Sequence, residues 1–267
     1  MNNIYELDSL CAYIGGKRYL AKTISKYIKN TPHRLYGEVF FGMGSVFLRK
    51  GFKSKVEVIN DINKDIYNLF KVLRKHYPEV ERLFEFNICS REEFLNYLKV
   101  NPDSLTDIER AVRFVYLQKL RFGGNPLTSS FAVGKNKDAR FKTQKMLKQM
   151  KLISNRLDKV IIENLDFEKF IKSYDSEQSL FYLDPPYYNF EKYYGKDIFS
   201  KKDFERLNNC LDNIKGKFIL SINNCDEIRE LFKNFYIKEV KTRYCIKTKN
   251  DVKELLIFNY DCKEDGK

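Results

Sequence analysis

Ser179-Leu180-Phe181-Tyr182-Leu183-Asp184-Pro185-Pro186-Tyr187 joins an apolar run to a double proline. The run before Asp184 reads as a buried strand. Two prolines cannot continue a sheet ladder, so the chain leaves the sheet at its carboxyl edge, where the ligand crevices of α/β folds lie. Consecutive prolines fix the backbone so that the Asp184 carboxylate and the Pro185 carbonyl point at one amino group, with Pro186 as the second rigid link and the Tyr187 ring as a stacking face. Such a site accepts two hydrogen bonds from a planar amine. Asp-Pro alone reads better as a tight turn with an N-cap aspartate; the whole tetrapeptide after an apolar strand favours a ligand-facing role.

On either side of this segment, strands and helices alternate. Leu35 to Phe41, Val56 to Asn60, Val160 to Glu163 and Phe218 to Ile222 join Leu180 to Leu183 as buried-strand candidates. Lys17 to Lys29 places Leu20, Ile24, Tyr27 and Ile28 on one face, and Ile62 to Leu73 does the same with Ile62, Ile66, Leu69, Phe70 and Leu73. Alternation of this kind predicts an α/β fold. From about Pro78 to Lys151 it lapses into helical stretches, Arg91 to Val100 and Asp107 to Leu120, and a glycine- and serine-bearing segment, which reads as an inserted subdomain. The expected division is therefore a catalytic domain from residues 1–77 and 152–267 and an insert of residues 78–151.

Phe40-Phe41-Gly42-Met43-Gly44-Ser45 ends the first core strand and opens toward a helix, a place where glycines let backbone approach a nucleotide-like ligand. A dinucleotide fingerprint wants a third glycine three residues after Gly44. Phe47 stands there, which argues against NAD or FAD and leaves an adenosine-containing ligand without a pyrophosphate. Asp61, at the end of the second strand, suits both hydroxyls of a ribose. It also suits the N-cap of a helix starting at Ile62, and the two roles are compatible.

The 267 residues are 43% apolar and 15% aromatic, enough for a substantial core and too apolar for overall disorder. No apolar run approaches the ~20 residues of a membrane span, and Met1 to Asp8 lacks the basic-then-apolar opening of a signal peptide, so a soluble cytoplasmic protein is expected. The six cysteines form no Cys-x-x-Cys pair and read as reduced. His33 and His76, the only histidines, have no metal-ligand spacing, so no metal is expected and hydrolase triads are disfavoured.

A formal charge of +13 makes an acidic macromolecular partner plausible. Between Arg113 and Lys145, eight Lys/Arg residues (113, 119, 121, 135, 137, 140, 142 and 145) oppose one acid, Asp138, and this local +7 is over half of the net charge. Interleaved with Phe122, Asn125, Thr128, Ser129 and Phe131, the cluster suits phosphate contact and base reading more than a merely solvated face. Lys119, Arg121, Asn125, Lys135, Lys137 and Arg140 are the candidate DNA contacts.

These motifs together resemble the Dam-type DNA adenine methyltransferases over nearly the whole chain. Tyr13-Ile14-Gly15-Gly16-Lys17 is similar to the family's N-terminal cofactor segment, Phe40 to Phe47 to its glycine-rich loop, Asn60-Asp61-Ile62-Asn63 to its ribose-binding acid, and Asp184 to Tyr187 to its catalytic motif. Ser221 to Asn224 and Glu254 to Tyr260 resemble its C-terminal strands. The resemblance implies a Rossmann-like mixed sheet with helices on both faces plus a smaller, mainly helical DNA-recognition subdomain. It implies S-adenosylmethionine as cofactor, leaving as S-adenosylhomocysteine, with Tyr13, Lys17, Phe40, Gly42, Gly44, Ser45, Asp61, Ile62 and Asp184 about it and Asp166-Phe167 flanking its adenine. Double-stranded DNA is the implied partner, a cognate restriction endonuclease a further one, and the implied state is a monomer or weak dimer. Gln118 to Asn125 resembles a phage- and prophage-like branch more than the best-known GATC-modifying members.

An adenine 6-amino group is a poor nucleophile, so positioning and electrostatics must supply the rate. Its place inside a duplex requires base flipping, with Tyr187 stacking on the extruded base. A 4-amino cytosine methyltransferase usually has Ser where Asp184 stands, and RNA or protein-glutamine methyltransferases more often have Asn. Asp184 favours adenine. A catalytically silent DNA-binding module of the same fold is disfavoured by Gly42, Asp61, Asp184 and Tyr187 standing intact together.

Overall fold

The computed structural model describes residues 2–13, 15–121, 128–132, 141–191, 198–243 and 251–262. In chain order the elements are β1 (Asn2–Asn3), α1 (Ala21–Asn30), β2 (Leu35–Glu38), β3 (Phe52–Lys53), β4 (Val56–Asn60), α2 (Lys64–Lys75), α3 (Tyr77–Glu85), α4 (Arg91–Lys99), α5 (Asp107–Leu120), α6 (Thr143–Arg156), β5 (Ile161–Glu163), α7 (Phe167–Tyr174), β6 (Ser179–Leu183), α8 (Lys201–Asp212), β7 (Lys217–Asn223), α9 (Asp226–Leu231), β8 (Tyr236–Arg243) and β9 (Asp251–Phe258). β1 and β3 form a small antiparallel pair. The seven-stranded sheet runs β5-β4-β2-β6-β7-β9-β8, parallel from β5 to β7, with β9 antiparallel to both of its neighbours. This is the mixed sheet expected of a Rossmann-like methyltransferase.

The strand order locates the ligand crevice. From β2 the chain builds outward through β4 to β5, then returns to lay β6 on the opposite side of β2. The order therefore reverses between β2 and β6, and an open α/β sheet binds its ligand at the carboxyl ends flanking such a point. Glu38 is in register with Tyr182, so the glycine turn after β2 and the double proline after β6 emerge side by side.

Helices cover both faces. On one, Ile24 and Ile28 of α1, Leu69 and Phe70 of α2, Val112 and Val115 of α5, and Met146 and Met150 of α6 pack in a single core. On the other, Phe170 of α7, Phe204 and Leu207 of α8 and Ile228 of α9 bury β6 and β7. Every residue of β6 is buried, which explains its uninterrupted apolar character. The helices of residues 78–151 thus share their core with α1 and α2. The expected limit at 151 falls within α6, whose Arg156 makes two hydrogen bonds to Glu57 at the start of β4, at 2.6 and 3.0 Å. That guanidinium lies 3.8 Å from the Phe47 ring centre, and Lys50 adds a second buried cation to Glu57.

Two helix starts differ from expectation. α1 begins at Ala21 rather than Lys17, because Lys17 to Leu20 form a turn that carries Lys17 into the interior. α2 begins at Lys64 rather than Ile62, with Asn63 as N-cap accepting from the Asp65 N–H. Asp61 is not the cap.

Candidate active site

Asp61 ends just beyond β4, and its carboxylate bridges two backbone donors: Gly42 N–H at 2.7 Å and Asn63 N–H at 2.9 Å. Gly42 and Gly44 both adopt left-handed backbone, at φ +52° and +67°. At Gly44 a Cβ would come within 2.6 Å of the Phe41 ring, so this turn requires glycine. Burial pushes the Asp61 carboxyl up to about 6, opposed by its two backbone hydrogen bonds.

Asn60 and Asn164 hold this corner in place. The buried Asn60 amide donates to the Val39 and Leu165 carbonyls and accepts from Leu165 N–H, while Asn164 donates to the carbonyls of Asp61 and Ile62. The ends of β2 and β4 and the loop after β5 are thereby joined through side-chain amides.

Across the switch point, Lys17 is 3% exposed and its ammonium donates to the Gly15 carbonyl at 3.0 Å and to Asp184 Oδ1. The same ammonium lies 4.7 Å from the centre of the buried Tyr187 ring. Ser221 of β7 donates to Asp184 Oδ1 at 3.3 Å and shares a 2.8 Å hydrogen bond with the Tyr182 hydroxyl. Burial raises the Asp184 carboxyl to about 6; Lys17 pulls it down, Glu254 pushes it up, and Ser221 lowers it. Glu38, at the end of β2, accepts from the Tyr36 hydroxyl at 2.7 Å and is raised to about 8, chiefly by burial.

Between these two corners lies a crevice of about 890 Å³, its open mouth included. Of the residues expected at the cofactor, Tyr13, Phe40, Gly42, Ser45, Asp61, Ile62, Asp166, Phe167 and Asp184 line it. Lys17 lies behind Asp184, and Gly44 shapes the turn. Pro186 lines the crevice as well, whereas Pro185 and Tyr187 stand back from it. Phe40 meets Phe167 at 5.9 Å and Phe199 at 5.8 Å between ring centres, forming an apolar wall. Asp166 caps α7 through Glu168 N–H and also accepts from Arg206 of α8. Glu38, Asn60, Leu165 and Phe199 line the crevice without having been expected there.

Of the candidate DNA contacts, Asn125, Lys135, Lys137 and Arg140 lie outside the described residues, as does Phe122. Lys119 is half-buried near the Cys11 thiol. Arg121 caps the end of α5 and pairs with Phe131 in one antiparallel bridge. Its half-buried guanidinium faces Arg113, Tyr13 and Asp65, and burial lowers its pKa. Phe131 packs on Phe94 and beneath the Arg91 guanidinium.

Among the described residues no cluster of His, Cys, Asp or Glu has the makings of a metal site, and no helix is long and apolar enough to cross a membrane.

A mixed sheet with a glycine turn, an acid at the next strand's end and an acidic proline turn at the switch point defines an α/β enzyme of the nucleoside-binding kind. Residues 13–246 match the D12 class N6 adenine-specific DNA methyltransferases, and the chain belongs to that family. It is 28% identical to the type II methyltransferase M.MjaIII of Methanocaldococcus jannaschii over 96% of this chain and 100% of that protein. It is 25% identical to the type II methyltransferase M1.LlaDCHI of Lactococcus lactis subsp. cremoris over 97% of each. It is 26% identical to the DNA N-6-adenine-methyltransferase of Escherichia phage P1 over 92% of this chain and 34% of that longer protein. The protein is an S-adenosylmethionine-dependent enzyme that methylates adenine N6 in DNA.

Proposed function

We propose that Asp184 and the Pro185 carbonyl accept the two hydrogens of a flipped adenine's 6-amino group, with S-adenosylmethionine in the crevice beside them. The observation that carries this reading is the placement of Asp184: its carboxyl lines the same crevice as Asp61 and the glycine turn, and Lys17 and Ser221 fix it from behind.

The residues present fit such a cofactor. Each Asp61 oxygen accepts one backbone N–H and keeps a lone pair for a ribose hydroxyl. A Cβ at Gly42 would meet only the Tyr13 ring, at 3.7 Å, so backbone lies open to a ligand there. Phe40 and Phe167 offer an apolar wall for an adenine ring, and Ile62 and Ser45 complete that lining.

When bound, S-adenosylmethionine supplies an electrophilic methyl group. The chain's own residues do the remainder. Two hydrogen bonds from the target amine to Asp184 and Pro185 favour a tetrahedral nitrogen whose lone pair is free to attack. Lys17 holds the carboxylate in one orientation. The aromatic wall limits water. After transfer the cationic nitrogen releases a proton to Asp184, whose affinity for it is raised by burial. Tyr187, fixed beneath Lys17, is assigned to stacking on the extruded base.

Residues 78–151 are assigned to target recognition, with Lys119, Arg121, Asn125, Lys135, Lys137 and Arg140 on DNA, in the manner of the phage-like branch that Gln118 to Asn125 resembles. A cognate restriction endonuclease is assigned as a further partner, and a monomer or weak dimer suffices for the chemistry. The test is labelled-methyl transfer to duplex DNA, RNA and protein in parallel, with Asp184→Ala alongside. Labelling of duplex adenine that disappears in the variant is expected; a variant with near-normal turnover overturns the assignment.

A further inference from the structure

Glu254, on β9 opposite Asn223 of β7, is 1% exposed. A carboxylate so deep in a sheet is strongly disfavoured unless a charge or hydrogen bonds compensate it. Its Oε2 lies 3.9 Å from the ammonium of Lys17, whose side chain is 2% exposed and already joined to Asp184. At that distance Glu254 acts on Lys17 by charge rather than by a direct hydrogen bond. Two buried carboxylates therefore share one ammonium.

We propose that Glu254 is a positioning residue for methyl transfer: it anchors Lys17 against one oxygen of Asp184 and offsets that lysine's charge, keeping Asp184 a strong acceptor for the amine. The proposal rests on the reading of Asp184 given above. Lys17 alone would orient Asp184 but weaken it, since an adjacent cation stabilises the carboxylate and lowers its affinity for the amine hydrogens and for the released proton. With Glu254 behind the lysine, orientation is kept while the carboxylate stays basic. The direction agrees with Glu254 raising Asp184 and Lys17 lowering it. In the step itself the amine lone pair forms the N–C bond as the C–S pair returns to sulfur, and one amine proton then moves to Asp184. Among the described residues, the Tyr182 and Ser221 hydroxyls from β6 and β7 and Glu38 from β2 also face Asp184.

The test is a carbon-13 titration of the Asp184 carboxyl in the full chain without cofactor, its signal identified by loss in Asp184→Asn. Glu254→Gln is expected to move the midpoint to lower pH, and Lys17→Met to move it to higher pH. Under single-turnover conditions the acid limb of the methylation rate should follow the same directions, and Glu254→Gln should slow the plateau rate by roughly tenfold. An unmoved or raised midpoint in Glu254→Gln overturns the proposal. Should that variant not fold, Glu254→Asp, which withdraws the carboxylate by one methylene, carries the test: a smaller downward shift is expected, and no shift overturns. An active Asp184→Asn defeats the reading of the site itself, whereas an inactive one beside an unmoved midpoint in Glu254→Gln defeats this inference alone.

Discussion

The Asp61 carboxylate accepts the Gly42 N–H at 2.7 Å, tying the tip of β4 to the turn that follows β2. One side chain thus shapes the glycine turn and presents its remaining lone pairs to the crevice. Asp61→Ala is expected to weaken S-adenosylmethionine binding by roughly 10- to 100-fold, the loss of one or two hydrogen bonds to a charged acceptor. DNA affinity should be unchanged. Because the carboxyl titrates near 6, cofactor affinity should also fall as pH drops through that value. Calorimetry at pH 5 and pH 7.5 checks both, and unchanged cofactor affinity in the variant refutes the ribose role.

Asp184→Ala should lower kcat by about 10²–10³-fold or more, the scale seen when a preorganised transition-state contact is removed. Binding of duplex DNA should survive, as gel-shift titration can show.

Glu38 gives a stability prediction. Its carboxyl titrates near 4.5 unfolded and near 8 folded, so as pH rises between those values the unfolded chain loses its proton first and the folded state loses stability. Glu38→Gln preserves an acceptor for the Tyr36 hydroxyl and removes this liability. Thermal melts should show the variant more stable than the parent at pH 8 by on the order of 1–3 kcal/mol, with the gain vanishing toward pH 5.

Gly44→Ala adds a Cβ against Phe41 in left-handed backbone. A loss of about 1–3 kcal/mol of stability is expected from the strain, together with weaker cofactor binding. A variant matching the parent in both melting and calorimetry would contradict the tight-turn account.

In the segment proposed to recognise DNA, Arg121→Ala should cost about 1–3 kcal/mol mainly on the preferred site, as for a base-reading arginine. Lys135→Ala should instead lower affinity for every sequence and flatten the salt dependence by about one unit of slope. Methylation rates on a pool of duplexes at two salt concentrations separate the two; if neither changes, recognition lies elsewhere.

Much of this was legible in the chain. β4 matches Val56 to Asn60 and α5 matches Asp107 to Leu120, because apolar spacing marks both locally, and the structure adds a Thr106–Glu109 capping box at the start of α5. The crevice gathers residues from five separated motifs: four follow the ends of β2, β4, β5 and β6, which the strand order brings together, and the fifth, Tyr13 to Gly16, lies in the loop before α1. Local pattern does not show what folding brings together from afar. Glu254 reads as one polar residue in a strand until β9 is laid beside β7, and Asn60 and Asn164 reveal their purpose only when three loop backbones converge on them. Lys17 looked like the first turn of a helix, for the amphipathic face continues through it; its burial follows from Asp184, 167 residues away.

The grip of Arg156 on Glu57 bears on the engineering of new specificities. β4 carries Glu57 at its root and delivers Asp61 at its tip, so the strand that presents the acid to the crevice is clamped by the last residue of α6. A chimaera exchanging residues 78–151 for those of a relative would splice a helix in mid-course and marry a foreign first half to a native anchor. Moving the junction beyond Arg156 would transplant the whole helix, but it would then demand that the donor bring its own arginine, or that Glu57 be exchanged with it.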